Sequence, residues 1–492
     1  MERTSPTSRG NERSNRRRLR RYGAVGLAGA AAANVAAVAT QRASSAVPSL
    51  SQLPKVASPL PLPRGNAGSA ANVAAEYALN TSSVVHEAIQ TFGSRYAGAW
   101  IDWKGTASSP APVTRIMVAG AENLATETLF RSRLAVGLGP KTEVSYVKYT
   151  AAELNAYKKS IVDYASSHFN TPSYRPSGEM AFFIDTPDNA VGIALTHEDA
   201  RFLAQLQRLV PADALRIEWI SVVPRPAPSP QPASLQPAGG PGWVPGVQRF
   251  HPGPIYKGGY YSQTYLVYRD YADCTSAFTL RGPFYNKYKY YGITAGHCAP
   301  PMSQIISGHG VHLGIGTRVW SYGTGGDYYA YVLESNYQSS YKAKGTIIAE
   351  THNGFGFIDN VVGRVSNKYQ IYGLPVCASG YTTNRVTCST IRMGSGTWVF
   401  NGLTAIGNLA CSTYTDRKGD SGGAVYIPAP GNRGYAAGVI DSRASVAYDP
   451  TPKNNWWSGW SCYTTIDSVL QGITAHNSGV PAYVVDANGQ FS

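Results

Sequence analysis

The residues best suited to chemistry lie in two short motifs far apart in the chain. The stretch "TDRKGDSGGAVY" sets Ser421 among glycines, and "YGITAGHCAP" places His297 beside Cys298. A serine hydroxyl is a poor nucleophile at neutral pH unless a base removes its proton and donors stabilise the oxyanion. Small residues around Ser421 permit a tight turn that directs the hydroxyl and nearby N–H groups at one carbonyl. The two motifs predict acyl transfer with Ser421 as nucleophile.

His297 is the preferred base among the nine histidines. It follows the apolar strand "YYGIT", and the small residues Ala295 and Gly296 leave room for its ring. His309 and His312 belong to a glycine-rich loop. The remaining candidates lack a comparable setting; they include His251, His352 and His476.

The base needs an anion that holds its tautomer and stabilises the imidazolium. Asp327 stands at the start of the tyrosine-rich segment "DYYAYVLE", between His297 and Ser421 in the chain. A carboxylate that leads into a buried strand is costly to bury without a partner, so Asp327 is the predicted orienting group. It is alternatively a turn aspartate after two glycines, and Asp359 is the reserve candidate.

Composition indicates a β-rich globular protein of more than one unit. The 492 residues exceed the ~250–300 at which a single core stops growing, and Gly, Tyr and Pro are abundant. The net charge of +14 is uneven, because eight Arg against two Glu give +6 to residues 1–21 alone. From residue 243 onward the charges are scattered without an arginine-rich stripe, so nucleic acid is not an expected partner.

The N-terminus has the pattern of an export signal, predicted over residues 1–39. The basic "RSNRRRLRRYG" precedes an Ala/Gly-rich run from Ala24 to Ala39. Adjacent Arg16 and Arg17 leave a twin-arginine route open. A membrane anchor is the alternative, but the run is short and weakly hydrophobic. We expect a secreted, extracellular protein that has no membrane association after export.

The cysteines favour disulfides in one part of the chain. All six lie in the C-terminal half, and an exported chain with an even number is typical of disulfide bonding; they are Cys274, Cys298, Cys377, Cys388, Cys411 and Cys462. A zinc site is the competing interpretation. Because no CxxC pair exists and the histidines are not at ligand spacing, we expect no metal and no cofactor.

Three segments follow the signal. Residues 40–223 predict an α+β domain, with a capping box at Thr150 and Glu153, a hairpin from "EMAFFID" to "NAVGIAL" and a strand at "LRIEWISVV". Residues 224–246 contain eight prolines and predict an extended linker. Residues 247–492 predict an all-β fold with a last helix at "TIDSVLQGI", from short segments such as "KYYGITA", "TRVWSYG", "KGTIIAE", "GRVSNKYQIYG", "GAVYIP" and "YAAGVID".

Residues 270–470 resemble the chymotrypsin-like serine endopeptidases, in particular the secreted bacterial streptogrisins and α-lytic protease. The similarity is carried by "CTSAFTLRG…YGITAGHCA", "VCASGYTTNRVTC" and "AC…GDSGGAVY". It implies a double β-barrel with the site in the cleft, and His297, Asp327 and Ser421 as catalytic triad. The N–H groups of Gly419 and Ser421 would form the oxyanion hole. The implied disulfides are Cys274–Cys298, Cys377–Cys388 and Cys411–Cys462.

The upstream block resembles the prodomain of α-lytic-type proteases through "YAGAWID" and "RIMVAGAEN". The resemblance implies that residues 40–223 are a propeptide that assists folding, inhibits the enzyme and is removed by cleavage in 224–246. An ordinary accessory domain is the alternative.

Three departures from the family bear on specificity. The segment from Cys411 to Ser421 is longer than in streptogrisins; its Asp416 either meets a basic substrate side chain or, the favoured interpretation, pairs with Arg417 or Lys418 at the surface. Arg443 in "AAGVIDSRAS" would narrow or charge the substrate subsites. Residues 446–461 form an unusual aromatic loop.

We therefore expect a monomeric secreted serine endopeptidase, synthesised as an inactive precursor, whose partners are protein or peptide substrates and its own propeptide. Two alternatives come from other classes. The chain would be a non-catalytic binding module on the same scaffold, or a serine esterase, since GDSGG also satisfies G-x-S-x-G.

Overall fold

A computed structural model describes most of the chain, within one compact unit that spans Val56–Ser492. The predicted signal 1–39, the linker 224–246 and most of the aromatic loop 446–461 lie outside the described residues. The described residues are 69–106, 109–134, 141–169, 180–196, 200–219, 256–258, 261–265, 271–284, 287–299, 301–307, 312–339, 343–352, 355–380, 383, 386–400, 404–414, 416, 419–429, 433–446 and 460–490.

The N-terminal part, residues 69–219, is an α+β region. Its helices are α1 (Ser69–Phe92), α2 (Leu124–Arg133), α3 (Ala151–Phe169) and α4 (Ala200–Leu209). Its strands are β1 (Tyr96–Thr106), β2 (Ser109–Ala119), β3 (Lys141–Val147), β4 (Met180–Asp185), β5 (Ala190–Leu195) and β6 (Leu215–Trp219).

The same supersecondary unit occurs twice in this region. In each, an antiparallel hairpin is followed by a helix and a third strand parallel to the second: β1–β2–α2–β3 and β4–β5–α4–β6. The predicted capping box begins α3, since Thr150 N–H donates to the Glu153 carboxylate at 2.8 Å and Glu153 N–H donates to Thr150 Oγ1 at 3.1 Å. The predicted hairpin is confirmed as β4–β5.

The C-terminal part is built almost entirely of strands, as predicted. The strands are β7 (Tyr256–Gly258), β8 (Tyr261–Tyr265), β9 (Tyr271–Thr275), β10 (Thr279–Phe284), β11 (Lys287–Thr294), β12 (Gln304–Ser307), β13 (His312–Gly323), β14 (Gly326–Leu333), β15 (Ala343–His352), β16 (Phe355–Arg364), β17 (Pro375–Ser379), β18 (Val386–Phe400), β19 (Thr404–Ser412), β20 (Ala424–Ala429), β21 (Arg433–Val446), β22 (Trp460–Thr465) and β23 (Tyr483–Val484). The predicted last helix is α5 (Ile466–His476).

Two sheets organise these strands. The first has eight described strands in the order β23-β10-β11-β14-β13-β12-β8-β9. In the second, six strands close into a ring, because each member of the cycle β17-β18-β19-β22-β21-β20 pairs with the next and β20 pairs with β17. The predicted fold class, a mostly β-sheet fold preceded by an α+β region, is confirmed; of the two predicted barrels, the pairings of the described strands close one, as this ring.

One predicted strand, "GRVSNKYQIYG", is wrong over most of its length. After Gly363 and Arg364, which end β16, the chain forms a 3-10 turn at Asn367–Tyr369. The N–H of Asn367 donates to the Asp467 carboxylate at 3.0 Å, and the Gln370 amide donates to Val365 O and Ala437 O at 3.1 and 3.0 Å. These tertiary hydrogen bonds take the groups that a strand would have paired.

The α+β region is continuous with the second sheet. Strand β4 pairs antiparallel with β18, with Ala181 opposite Trp398, so β6-β5-β4 extends the sheet beyond the ring. Ala181 and Trp398 are fully buried in one apolar cluster. A second cluster joins α1, through Val85, to Val425 of β20. The two parts of the chain therefore share both a sheet and a hydrophobic core.

Three disulfides lie in the all-β part, with the pairs that the family resemblance implied: Cys274–Cys298, Cys377–Cys388 and Cys411–Cys462. The last two link strands that are already paired in the ring, β17 with β18 and β19 with β22. None of the helices in the described part of the chain is both long and apolar enough to cross a bilayer.

A buried charged cluster ends the hairpin of the α+β region. Arg216 of β6 lies 3.1 Å from the Asp185 carboxylate and 3.4 Å from that of Glu218, and it also contacts Asp188. Burial raises the pKa of Asp185 from 3.8 to about 6, and the positive charge of Arg216 offsets only part of this shift. Between these two pH values the folded chain retains a proton that the unfolded chain releases.

We predict that Asp185→Asn removes this pH dependence. In the unsubstituted chain the Asp185 contribution is present below about pH 4 and is lost as the pH rises through 6, by up to about 3 kcal/mol. Asparagine does not titrate, so the free energy of unfolding of the variant relative to the parent chain should rise between pH 4 and pH 7. Urea unfolding at several pH values measures this difference; a constant difference would contradict the assignment.

Candidate active site

Ser421 lies in a tight turn that only glycine can complete. The next residue, Gly422, has φ +87°, and a Cβ there would lie 2.1 Å from Thr294 Oγ1. The N–H of Gly422 donates to Ile440 O at 2.8 Å, and Ile440 N–H donates to Gly423 O at 2.9 Å. The glycines that flank Ser421 therefore let the turn pack directly on β11 and β21.

The turn is also held by side chains on both sides. Thr275 of β9 donates from its N–H to Ser421 O and from Oγ1 to Gly419 O, both at 2.8 Å. The carboxylate of Asp420 accepts from the N–H of Thr383 at 2.9 Å and from its hydroxyl. Ser421 itself is buried. The nucleophile candidate thus sits on a backbone fixed from several directions.

His297 is positioned by a one-turn 3-10 helix, Gly296–Cys298, that follows β11. The Cys274–Cys298 disulfide ties this turn to β9. The indole Nε1 of Trp320 donates to Gly296 O at 2.6 Å from the other side. The turn is therefore fastened immediately before and after the imidazole.

Asp327 is fully buried at the start of β14. Its Oδ1 accepts from the backbone N–H of His297 at 2.8 Å, and its Oδ2 lies 2.5 Å from His297 Nδ1. The N–H of Asp327 donates to Thr464 Oγ1 of β22 at 2.7 Å. A buried carboxylate needs such hydrogen bonds. Because Asp327 binds both the backbone N–H and the ring Nδ1 of His297, it fixes the orientation of the imidazole.

The structure brings the three sequence-predicted residues together. His297 Nε2 lies 2.9 Å from Ser421 Oγ, so a continuous path runs from Ser421 through the imidazole to Asp327. With Nδ1 protonated and donating to Asp327, Nε2 is the acceptor for the Ser421 hydroxyl proton. This arrangement can generate a serine alkoxide-like nucleophile and hold the resulting imidazolium.

Of the other sequence candidates, Gly419 lies in the site and the alternative acid and histidines lie in other elements. Gly419 stands two residues before Ser421 in the same turn, with φ +99°. Asp359 belongs to β16, His352 ends β15 and His476 ends α5, whereas His312 is exposed at the start of β13. His251 and His309 lie outside the described residues.

Acidic groups lie near Tyr414, seven residues before Ser421. Tyr414 is buried and donates to Cys462 O at 3.4 Å. Burial raises the pKa of Tyr414 well above its ordinary value, and the nearby charges of Asp416, Asp441 and Asp420 add to that shift. Asp416 is itself partly buried; its predicted surface partners Arg417 and Lys418, and the side chain of Arg443, lie outside the described residues.

Sequence reasoning missed Asp441. It is fully buried in β21, and its Oδ1 lies 3.9 Å from His297 Nδ1. The signal that could have found it is an aspartate at the end of the apolar segment "AAGVID", where a buried carboxylate needs a partner. Among the described residues, His297, Asp327 and Asp441 also form the one histidine–carboxylate group compact enough for a metal, with ligand atoms within 4.8 Å. The Nδ1 atom that a metal would use is engaged by Asp327.

Comparisons with solved structures find partial similarity to bacterial serine proteases. The chain is similar over 46% of its length to all of a structure described as a glutamic acid specific serine protease, at 22% identity and a TM-score of 0.32. It is similar over 45% to 96% of the Nocardiopsis protease NAPase, at 19% identity and a TM-score of 0.32. It is similar over 46% to 98% of Cellulomonas bogoriensis chymotrypsin, at 21% identity and a TM-score of 0.29. No protein-family model matches the chain, and no curated protein matches it in sequence.

We predict that Gly296→Ala strains this site. A Cβ at residue 296 would lie 2.0 Å from Ser321 O and 2.9 Å from Asp327 Oδ1, so the turn or the carboxylate must move. The free energy of unfolding should fall by about 1–3 kcal/mol. Gly323→Ala is the control, because the nearest atom to its Cβ is 3.9 Å away. Chemical denaturation compares the two, and equal stabilities would contradict the close packing of Gly296.

Proposed function

We propose that this protein is a secreted serine endopeptidase that uses Ser421, His297 and Asp327 as a catalytic triad. One observation carries the proposal: the three side chains form a continuous series of hydrogen bonds. The Ser421 Oγ–His297 Nε2 distance is 2.9 Å, and the His297 Nδ1–Asp327 Oδ2 distance is 2.5 Å. Such a series of hydrogen bonds activates a serine for attack on an acyl carbonyl.

The reaction follows from this geometry. Ser421 Oγ attacks the peptide carbonyl while His297 Nε2 takes the hydroxyl proton, and Asp327 stabilises the imidazolium. His297 then gives the proton to the leaving amine, which departs and leaves an acyl-enzyme. A water attacks this ester with His297 again as base, and Ser421 regains its proton.

The tetrahedral intermediate needs donors for its oxyanion. We assign this role to the N–H groups of Gly419 and Ser421. Support comes from Thr275, which holds the carbonyls of both residues at 2.8 Å and so limits the rotation of the turn. Donors fixed before the reaction need little reorganisation as charge develops.

Two alternatives are less well supported. In an α/β-hydrolase esterase the acid and the histidine follow the serine in the chain. Here both partners of Ser421 precede it, and the strands next to the three residues, β11, β13, β14 and β20, pair antiparallel with one another or with β17 and β21. A non-catalytic binding module would not require the three groups to be hydrogen-bonded in line.

The three disulfides are consistent with an extracellular location.

We predict that Ser421→Ala abolishes peptide hydrolysis. Removal of a triad nucleophile lowers turnover by on the order of 10⁶, because neither attack nor acyl-enzyme formation remains possible. The parent chain and the variant are expressed at full length, and the purified proteins are assayed with a panel of fluorogenic peptides. A serine-directed fluorophosphonate should label the parent chain at Ser421 and leave the variant unlabelled.

The control is Ser468→Ala. Ser468 is a buried serine in α5, hydrogen-bonded to Thr465 Oγ1 at 2.9 Å, and its loss should leave hydrolysis and labelling unchanged. Hydrolysis that survives Ser421→Ala would refute the triad. A parent chain that, even after removal of residues 40–223, neither hydrolyses peptides nor reacts with the fluorophosphonate would favour the binding module.

We further propose that residues 40–223 are a propeptide that templates the protease domain, residues 247–492, and then inhibits it. Support comes from the contacts between the two parts. Ile101 N–H donates to Tyr372 O at 2.9 Å, and Trp103 Nε1 donates to Gly373 O at 2.6 Å. Together with the β4–β18 pairing, these bonds offer the strands of the ring a preformed β-strand, β4, against which β18 can pair.

A separated-chain experiment tests the template. β-folds rich in non-local pairings fold slowly, because loop closure precedes their contacts. Residues 247–492 alone should therefore refold poorly, and residues 40–223 added as a separate chain should restore activity and then suppress it while bound. Refolding yield and peptide hydrolysis over time measure both effects.

Substitutions in the template identify the surface responsible. Ala181→Asp places a charge in the buried β4–β18 contact and should reduce the rescue, whereas Ala156→Asp on the exposed face of α3 should not. Equal rescue by both variants would refute templating through β18. If residues 247–492 refold as fast alone as within the full chain, residues 40–223 are an accessory domain.

A further inference from the structure

A second buried carboxylate faces the imidazole of the candidate triad. Asp441 is fully buried, and its Oδ1 lies 3.9 Å from His297 Nδ1, the same ring atom that Asp327 holds at 2.5 Å. His297, Asp327 and Asp441 offer three titratable atoms within 4.8 Å of one another. The triad therefore has a charged neighbour on its Asp327 side.

The backbone of Asp441 is fixed relative to the nucleophile. The preceding residue, Ile440, exchanges hydrogen bonds with Gly422 and Gly423 directly after Ser421. Asp441 itself lies opposite Cys462 of the neighbouring strand β22, and Cys462 is held by the disulfide to Cys411. A shift of Asp441 away from His297 would disturb both β21 and the Ser421 turn.

Its charge must influence the proton on His297. With a neutral imidazole and both carboxylates ionised, the buried trio carries a charge of −2; protonation of the imidazole reduces this to −1. Protonation of the imidazole relieves the repulsion between the two carboxylates, and burial strengthens this interaction. The extra proton belongs to the trio as a coupled unit.

The other polar groups near His297, among the described residues, are neutral or are directed to other partners. The Tyr322 ring of β13 meets the imidazole edge-on, with centroids 6.2 Å apart. From β22 the neighbouring group is the Thr464 hydroxyl, which does not titrate in this range. Asp420, next to Ser421, is directed to Thr383. Asp441 and Asp327 are thus the anions that lie against the ring.

We propose that Asp441 is a positioning residue of this site, whose carboxylate stabilises the protonated form of the His297–Asp327 pair and so sets the pH range in which Ser421 is activated. The inference rests on the proposed function for its kinetic consequence. By the same interaction, Asp441 stabilises the imidazolium that forms as Ser421 attacks. It acts through His297 and makes no bond to the reacting atoms.

The pH dependence of kcat/KM tests this role. Asp441→Asn retains the shape of the side chain without its charge, and Asp441→Ser removes the carboxylate altogether. In both variants the acidic limb of the profile should move about one to two pH units lower, because the trio holds its extra proton less tightly. The plateau at high pH should fall by about tenfold, since the imidazolium loses one stabilising anion.

Asp467→Asn is the matched control. Asp467 is a buried aspartate at the start of α5 that contacts Arg364 and accepts from the Ser366 hydroxyl at 2.7 Å. Its substitution should lower stability and leave the acidic limb in place. If Asp441→Asn and Asp441→Ser also leave the limb in place, Asp441 is a structural residue only and the proposal is wrong.

A second measurement is independent of hydrolysis. In the full chain with Ser421→Ala, ¹⁵N NMR of labelled histidine follows the protonation of His297, with and without Asp441→Asn. The imidazole should deprotonate at a lower pH when Asp441 is replaced; coincident titrations would overturn the proposal. A parent chain that lacks peptidase activity even after removal of residues 40–223 would refute the proposed function, while the NMR titration would still decide the role of Asp441.

Discussion

The burial of one carboxylate, Asp327, constrains the rest of the site. An ionised group inside a protein is tolerated only when hydrogen bonds replace its water. Asp327 obtains both of its bonds from His297, while its own N–H is taken by Thr464 of the second sheet. Since the turn that holds Ser421 leads into β20 of the second sheet, the two sheets must pack in a single relative position for all these bonds to form. The interaction that orients the imidazole of His297 thus also fixes its position relative to Ser421.

The α+β region contacts the strands of the ring that are hardest to bring together. The six-stranded ring is closed by pairings between strands distant in sequence, such as β17 with β20 and β19 with β22. Each requires a large loop to close before its contacts can stabilise it. Strand β4 supplies β18 with a partner, and α1 packs on β20, so two strands of the ring acquire contacts from outside it. This arrangement is the physical basis for expecting the upstream region to aid folding.

The electrostatics of the site are independent of the charge of the whole chain. The sequence carries +14, yet among the described residues the charged groups within 4 Å of the imidazole are the carboxylates of Asp327 and Asp441. Net charge acts over the surface and is screened by salt, whereas buried charges a few ångströms apart act directly on each other. The electrostatics of such a site therefore depend on one or two buried neighbours more than on the net charge.

The sequence by itself determined the features whose physics is local. The glycines around Ser421 encode a tight turn, Thr150 and Glu153 encode a helix start, and alternation encodes the β4–β5 hairpin. Helix α1 was missed although its buried positions, 77, 81, 84, 88 and 92, recur at helical spacing. Tertiary structure alone decided what depends on distant partners: the turn at Asn367–Tyr369 replaced a predicted strand because Asp467 and Gln370 compete for its backbone. It likewise placed Asp441 beside His297, residues 144 positions apart, because strand register and packing set such distances and no local pattern records them.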